Sequence, residues 1–214
     1  MNETNRVDSH HVKTVADVKT VAVYASSSSA LKPVYYDAAR RTGEVLAVAG
    51  KSIIYGAGGD GLMGAMADGA LDNNGKVYGV VPQFLQDLEL THRGLTDLKI
   101  VEGMRIRKQL MLEGSDAVVA LPGGSGTYEE LFEALTMKRL GRWVGSIVIV
   151  NTIGFYDGLL QFLRHSVEEC FMGSSHLEMW SVVDEPEQIL EAIASSPAWN
   201  SEALLYANVT TANA

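Results

Sequence analysis

The sequence predicts an α/β fold of three layers, α/β/α, with a mostly parallel sheet of about seven strands. Three observations predict it. Short β-branched apolar runs alternate with longer segments of helical periodicity from residue 20 to residue 195. Most runs are apolar throughout rather than at every second position, the pattern of strands covered on both faces. Unusual glycine-rich sequence falls where a run passes into a helical segment, at the edge where open parallel sheets bind ligands.

Taken in order, residues 20–25 form the first predicted strand and residues 33–49 the first helix, with Pro33 in a first turn that tolerates proline. Residues 52–55 are the second strand, and the helix over 62–73 follows a run of glycines. Strands over 77–81 and 98–101 precede a helix over 104–114. The strand at 117–121 leads through a second glycine run into a helix over 127–140. A strand at 146–150, a helix at 155–171, a strand at 179–183 and a helix at 186–194, again opened by proline, complete the set. No internal repeat or Pro/Ser-rich linker divides the chain, so one domain is expected over 20–195, between a polar tail over 1–19 and a weakly patterned tail over 196–214.

Length and charge narrow the function classes. A chain of 214 residues with 47% hydrophobic content is long enough for one substantial core. A net charge of −9 argues against a surface that grips nucleic acid or an anionic membrane, so an anionic ligand has to be held locally. Cys170 stands alone, which leaves no internal disulfide and no cysteine-based metal cluster. The first residues, including His10 and His11, show no secretory pattern, and no apolar run reaches the roughly 18 residues of a membrane helix. A cytoplasmic protein without metal is the expectation.

Two junctions offer anion cradles. The first reads Gly56, Ala57, Gly58, Gly59, Asp60, Gly61, Leu62, Met63, Gly64. Its glycines let a backbone approach phosphate, and the helix beyond presents N–H groups and a positive dipole end. Gly56, Gly58 and Gly61 also satisfy a dinucleotide fingerprint, but they follow the second strand, and the next strand ends in Val80, Val81, Pro82 and Gln83 without the acidic residue that holds a ribose. The second cradle reads Pro122, Gly123, Gly124, Ser125, Gly126, Thr127, Tyr128, Glu129, Glu130. Thr127 and Glu130 have capping-box spacing, so a capping role for Glu130 stands beside a catalytic one. Between them, Met104, Arg105, Ile106, Arg107 and Lys108 concentrate positive charge at a helix start, which is either a solvated turn or a partner for what the glycine loops hold.

Met104, Arg107 and Lys108, followed by Pro122, Gly123, Gly124, Gly126, Thr127 and Glu130, resemble the paired M-x-x-R-K and P-G-G-x-G-T-x-x-E motifs of the LOG (Lonely Guy) family. Gly61 to Gly64, the stretch from Thr91 to Thr96 and the turn Gly154, Phe155, Tyr156, Asp157 extend the resemblance from about residue 21 to about residue 190. It implies a Rossmann-like fold, a homodimer, and release of free base and ribose 5-phosphate from N6-substituted AMP, with AMP itself as a further candidate. It also implies a catalytic pair, Arg107 and Glu130. Substrate contacts would come from Ser26, Ser27, Gly58, Gly59, Gly61, Met104, Lys108, Gly123, Gly124, Ser125, Gly126 and Thr127. His92 matches a family position, where a structural histidine is equally consistent. Relatives are often labelled lysine decarboxylase, yet nothing here announces a pyridoxal phosphate site, and no cofactor is expected.

The chain departs from the family pattern at Ala57, Arg105, Ile106, Ser125, Trp143 and Val144, which bears on the base pocket or a dimer surface. Met111, Leu112, Leu131, Leu135 and Leu140, with Arg139 and Arg142, are candidates for that surface if they do not serve the core. Two other readings stand beside the hydrolase: a non-catalytic nucleotide sensor or carrier, and a dinucleotide-dependent oxidoreductase.

Overall fold

The computed structural model describes residues 15–88 and 91–206; the tail residues 1–14, with His10 and His11, and 207–214 lie outside them. Seven strands, β1 (Thr20–Tyr24), β2 (Ser52–Tyr55), β3 (Val77–Pro82), β4 (Asp97–Val101), β5 (Ala117–Ala120), β6 (Ser146–Val150) and β7 (Ser181–Val183), form one sheet in the order β4-β3-β2-β1-β5-β6-β7. Every pairing between them is parallel. The helices are α1 (Pro33–Val48), α2 (Gly61–Leu71), α3 (Gln83–Gln86), α4 (Met104–Glu113), α5 (Ser125–Arg139), α6 (Asp157–Glu168) and α7 (Ile189–Ser195). Among the described residues no helix is long and apolar enough to cross a membrane.

The continuous apolar runs are explained by two cores, one on each face of the sheet. Side chains alternate across a strand, so Val21, Val23, Ala117, Val119, Val148 and Val150 face one core with Leu46 of α1, Met66 of α2 and Ile193 of α7. Their neighbours Ala22, Tyr24, Val118, Ala120, Ile147 and Ile149 face the other with Met111 of α4, Leu131 of α5 and Leu160 of α6. Central strands therefore need apolar residues at every position, each large side chain contributing about 1.5–3 kcal/mol on burial. The edge strand β4 is exposed over much of its length and carries Asp97 and Lys99. Met111, Leu112, Leu131 and Leu135 are buried in the chain's own core, the default expectation for such residues, and so do not form a partner surface.

Strand order reverses between β1 and β5, which places the loops after these two strands side by side at the carboxyl edge. An open α/β sheet forms its ligand crevice there. Glycine lets the supporting helices close up: a Cβ on Gly43 of α1 would lie 2.0 Å from the Met66 carbonyl oxygen of α2, so this helix pair meets backbone to backbone.

Several boundaries depart from the sequence reading, among them three helix and strand starts. The helix expected over 155–171 starts at Asp157, because the Asn151 carboxamide accepts the Tyr156 N–H at 2.6 Å and donates to Asp157 at 2.8 Å, fixing a separate turn ahead of it. Within that turn Ile153 takes φ 47°, ψ 36°. The strand expected over 179–183 begins at Ser181, since Met179 closes a short 3₁₀ helix, Ser174–Met179. The helix expected from Thr127 begins at Ser125.

Packing continues past residue 195. Trp199 donates its indole N–H to the Lys138 carbonyl at 2.7 Å, and the Lys138 ammonium lies 5.7 Å from the Trp199 ring while donating to the Gly145 carbonyl at 2.9 Å. Burial lowers the Lys138 pKa to about 8. Between about pH 8 and the unfolded lysine value of about 10.4, the unfolded chain binds the extra proton, so stability rises with pH across that window. We expect the stability difference between the parent and Lys138→Met, followed by urea unfolding, to change by up to about 3 kcal/mol from pH 8 to pH 10, the parent gaining relative to the variant. A difference independent of pH would refute the burial of a charged ammonium.

Candidate active site

A cavity of about 360 Å³ opens between the β1 and β5 loops, within the size range of small-molecule sites. Its lining includes Ser26, Ser27 and Ser28 after β1, Gly56 after β2, Met104 and Arg107 of α4, and Gly124, Ser125, Gly126, Thr127 and Glu130 at the start of α5. Three loops distant in sequence thus meet at one place because β1, β2 and β5 are neighbours in the sheet.

The start of α5 is the open anion cradle. Gly124 is its N-cap, no side chain caps it, and the first N–H to return to the cap is that of Tyr128, at 3.0 Å from the Gly124 carbonyl. The N–H groups of Ser125, Gly126 and Thr127 precede that bond and face the cavity side with the positive end of the helix dipole. A Cβ on Gly124 or Gly126 would meet nothing within 4 Å, so these glycines leave the donors unshielded rather than serve packing. Gly123 differs, since a Cβ there would lie 2.1 Å from the Thr127 hydroxyl. Thr127 is the third residue of α5 and Glu130 the sixth, so the capping box that their spacing suggested does not form.

The first glycine loop does a different job from the one expected. The N–H groups of Leu62 and Met63, at the start of α2, donate to the Ser26 carbonyl at 2.9 and 3.2 Å. Two of the donors an anion would use there are therefore already occupied. Gly61 has φ +62°, and a Cβ there would come within 2.6 Å of the Ser27 and Ser28 backbone. The Gly58 carbonyl accepts the Tyr55 hydroxyl at 3.2 Å, and Gly59 lies against Gly64, where a Cβ would meet the Gly59 carbonyl at 2.0 Å. Gly58, Gly59 and Gly61 do not line the cavity, which corrects their assignment as phosphate contacts. Gly61 packs against the serine loop instead, while Gly58 and Gly59 tie the junction to Tyr55 and to α2. In the serine loop the Ser26 hydroxyl accepts the Ser28 N–H at 3.1 Å and keeps its own proton to donate. Ala57 adopts φ 67°, a left-handed conformation that favours glycine, which accounts for the residue expected there.

Arg107 is buried, one guanidinium nitrogen donating to the Gly56 carbonyl at 3.1 Å. A Cβ on Gly56 would lie 1.7 Å from that nitrogen, so only glycine leaves the guanidinium its seat. Its Nε is buried without a hydrogen-bond partner. Such a donor is costly unless a ligand completes it. Lys108 points elsewhere: its ammonium lies 2.6 Å from Glu129 and 3.1 Å from Glu133, and it does not line the cavity. This corrects its expected role in substrate binding, because the two neighbouring carboxylates outbid a site on the far side of the helix.

Glu130 forms no ion pair among the described residues. Burial pushes its pKa up to about 7, Glu129 and Glu133 adding to the rise while Arg107 and Lys108 oppose it. Tyr24, at the end of β1, is buried near the same acids, and its phenol is raised by burial first and then by Glu130 and Glu133. Sequence reasoning passed over Gly56 and Met63 as wall residues, although both stand in the first glycine-rich junction, and Tyr24 as a neighbour, which no local motif marks. His92 lies outside the cavity, accepting the Gly94 N–H at 3.1 Å and meeting Asp68 at 3.1 Å, a structural tie.

A family model described as "possible lysine decarboxylase" matches residues 63–193. The chain is 37% identical over 178 residues to a cytokinin riboside 5′-monophosphate phosphoribohydrolase of Rhodococcoides fascians, covering 83% of this chain and 90% of that protein. It is 33% identical over 181 residues to such an enzyme of Arabidopsis thaliana, covering 85% of each, and 35% identical over 180 residues to a probable one of Oryza sativa subsp. japonica, covering 84% of this chain and 72% of that one. Among solved structures, the molybdenum cofactor carrier protein of Chlamydomonas reinhardtii superposes with a TM-score of 0.64 at 17% identity, over 82% of this chain and 95% of that one, a likeness of fold.

Proposed function

Since the chain belongs to the LOG family of cytokinin riboside 5′-monophosphate phosphoribohydrolases, we propose that it hydrolyses the N-glycosidic bond of an N6-substituted adenosine 5′-monophosphate, releasing free base and ribose 5-phosphate. The reading is supported above all by one arrangement: an uncapped helix start, a buried arginine with an unpaired donor and a carboxylate with a raised pKa border the same cavity. The 5′-phosphate sits at the N–H groups of Ser125, Gly126 and Thr127, with the Ser26 and Ser27 hydroxyls beside it. Glu130, farther along α5, then faces the ribose.

Breaking the bond from the anomeric carbon to the base nitrogen leaves positive charge on the sugar. The Glu130 carboxylate stabilises that charge and takes a proton from the water whose oxygen bonds to the anomeric carbon; the base leaves with the electron pair of the broken bond and takes a proton at nitrogen from solvent. Arg107 orients the nucleotide with a planar, permanently charged fork. Decarboxylation through pyridoxal phosphate fits poorly, because no lysine lines the cavity to anchor that group.

Base release from isopentenyl-adenosine 5′-monophosphate and from AMP, measured side by side, tests the reading. We expect release from the first at a higher kcat/KM. Tight nucleotide binding with no release from either would favour a sensor or carrier.

The homodimer of this family we place on the outer faces of α4 and α5, which Lys108 ties together and where Ile106 and Phe132 expose apolar side chains. Sedimentation should show a dimer for the parent and monomer for Phe132→Glu; an unchanged dimer would move the interface elsewhere.

A further inference from the structure

A second cavity, of about 240 Å³, adjoins the first and shares Ser26 and Gly124 with it. Its other lining residues are Leu31, Tyr35, Pro122, Gly123 and Phe155. Neither Arg107 nor Glu130 reaches it. The residues it shares with the nucleotide cavity are those of the anion cradle, so it lies beyond the phosphate end of the site rather than beside the bond to be cut.

Its walls suit an aromatic ring. Tyr35 and Phe155 meet edge to face with ring centroids 5.9 Å apart, and Phe155 in turn meets Tyr156 at 5.0 Å. Aromatic rings favour such edge and offset contacts with a further ring. An apolar cavity of about 150 Å³ already holds a benzene ring, so this one has room for a ring and its linkage.

The chain also accepts backbone strain to put Phe155 there. Ile153, a β-branched residue, is left-handed with φ 47°, although it is mostly exposed and buries little in return. Gly154 follows with φ 75°, and the Asn151 side chain locks the far end through Tyr156 and Asp157. Left-handed conformations are disfavoured for such residues and persist where the surroundings enforce them, often at ligand sites. The product of this turn is a phenylalanine held at the rim of an apolar cleft beside a phosphate cradle.

We infer that the second cavity is a subsite for an aromatic group esterified to the 5′-phosphate, so that the protein binds adenine nucleotide phosphodiesters as well as monoesters. This rests on the placement of the phosphate at the start of α5. The Ser26 hydroxyl and the α5 N–H groups hold the phosphate oxygens in both cases, and the ester oxygen leads past Gly124 to Tyr35 and Phe155.

Calorimetric titration of the full chain with AMP, its methyl ester and its phenyl ester tests the subsite. The phenyl ester is expected to bind about tenfold more tightly than the methyl ester, the ring contributing apolar burial and edge contacts. In Phe155→Ala that preference should fall to about threefold or less, with AMP binding unchanged. Leu31→Asn, in a loop ahead of α1, should do the same by placing an uncharged polar group in the cleft, and it guards against a misfolded Phe155 variant. If AMP binds and the two esters bind alike, or if the preference survives both substitutions, the subsite is refuted and the nucleotide reading stands. If AMP itself does not bind, both are overturned.

Discussion

Glu130→Gln is expected to lower the rate of base release by about 10²- to 10⁴-fold, the usual contribution of a positioned general base, while nucleotide affinity changes little. The amide keeps the shape and hydrogen-bonding reach of the carboxylate and loses only its charge and basicity. In the parent, the active form is the carboxylate, and its pKa lies at about 7. The kcat/KM profile should therefore climb with pH up to about 7 and level off above, and the residual activity of the variant should lack that limb. Stability should move the other way. The folded chain holds the Glu130 proton to a higher pH than the unfolded chain does, so the parent loses stability as pH rises from about 4.3 through about 7. The variant should melt at a higher temperature than the parent above that range. A variant with full activity and the same pH limb would remove Glu130 from the chemistry.

Arg107→Lys should cost about 10²-fold in kcat/KM, because an ammonium cannot occupy the Gly56 carbonyl and still present a planar fork to the nucleotide. Gly56→Ala gives an independent route to the same result: its new methyl would lie 1.7 Å from the guanidinium and must displace it. Both variants should bind AMP more weakly, with circular dichroism unchanged. If Gly56→Ala were fully active, the seat of Arg107 would not matter to the reaction.

The layers of the fold could be read from short stretches because the central strands' burial on both faces is written in their own residues. Ser52–Tyr55 and Ser146–Val150 have the predicted bounds. Where a local tie intervened, the reading failed: Asn151 stops α6 from starting at Phe155, a side-chain effect that periodicity does not register. The candidate site divides in the same way. Spacing alone left Glu130 open to a capping role and Arg107 to a solvated turn; the family resemblance singled them out, and the fold brings both to one cavity. Lys108, adjacent to Arg107, was read with it and turns to Glu129 and Glu133.

By itself, then, the sequence determined an α/β sheet of buried strands, two glycine-rich junctions and a basic helix start, since hydrophobic period, proline placement and motif spacing are properties of neighbouring residues. Only the tertiary structure decided which junction is the anion cradle. Both helices start with donors that sequence presents as equivalent, but the Ser26 carbonyl, brought across from the end of β1, occupies two of those of α2 and leaves those of α5 open. Whether a backbone N–H is free depends on what the fold places opposite it, and that partner lies about 36 residues away in the chain.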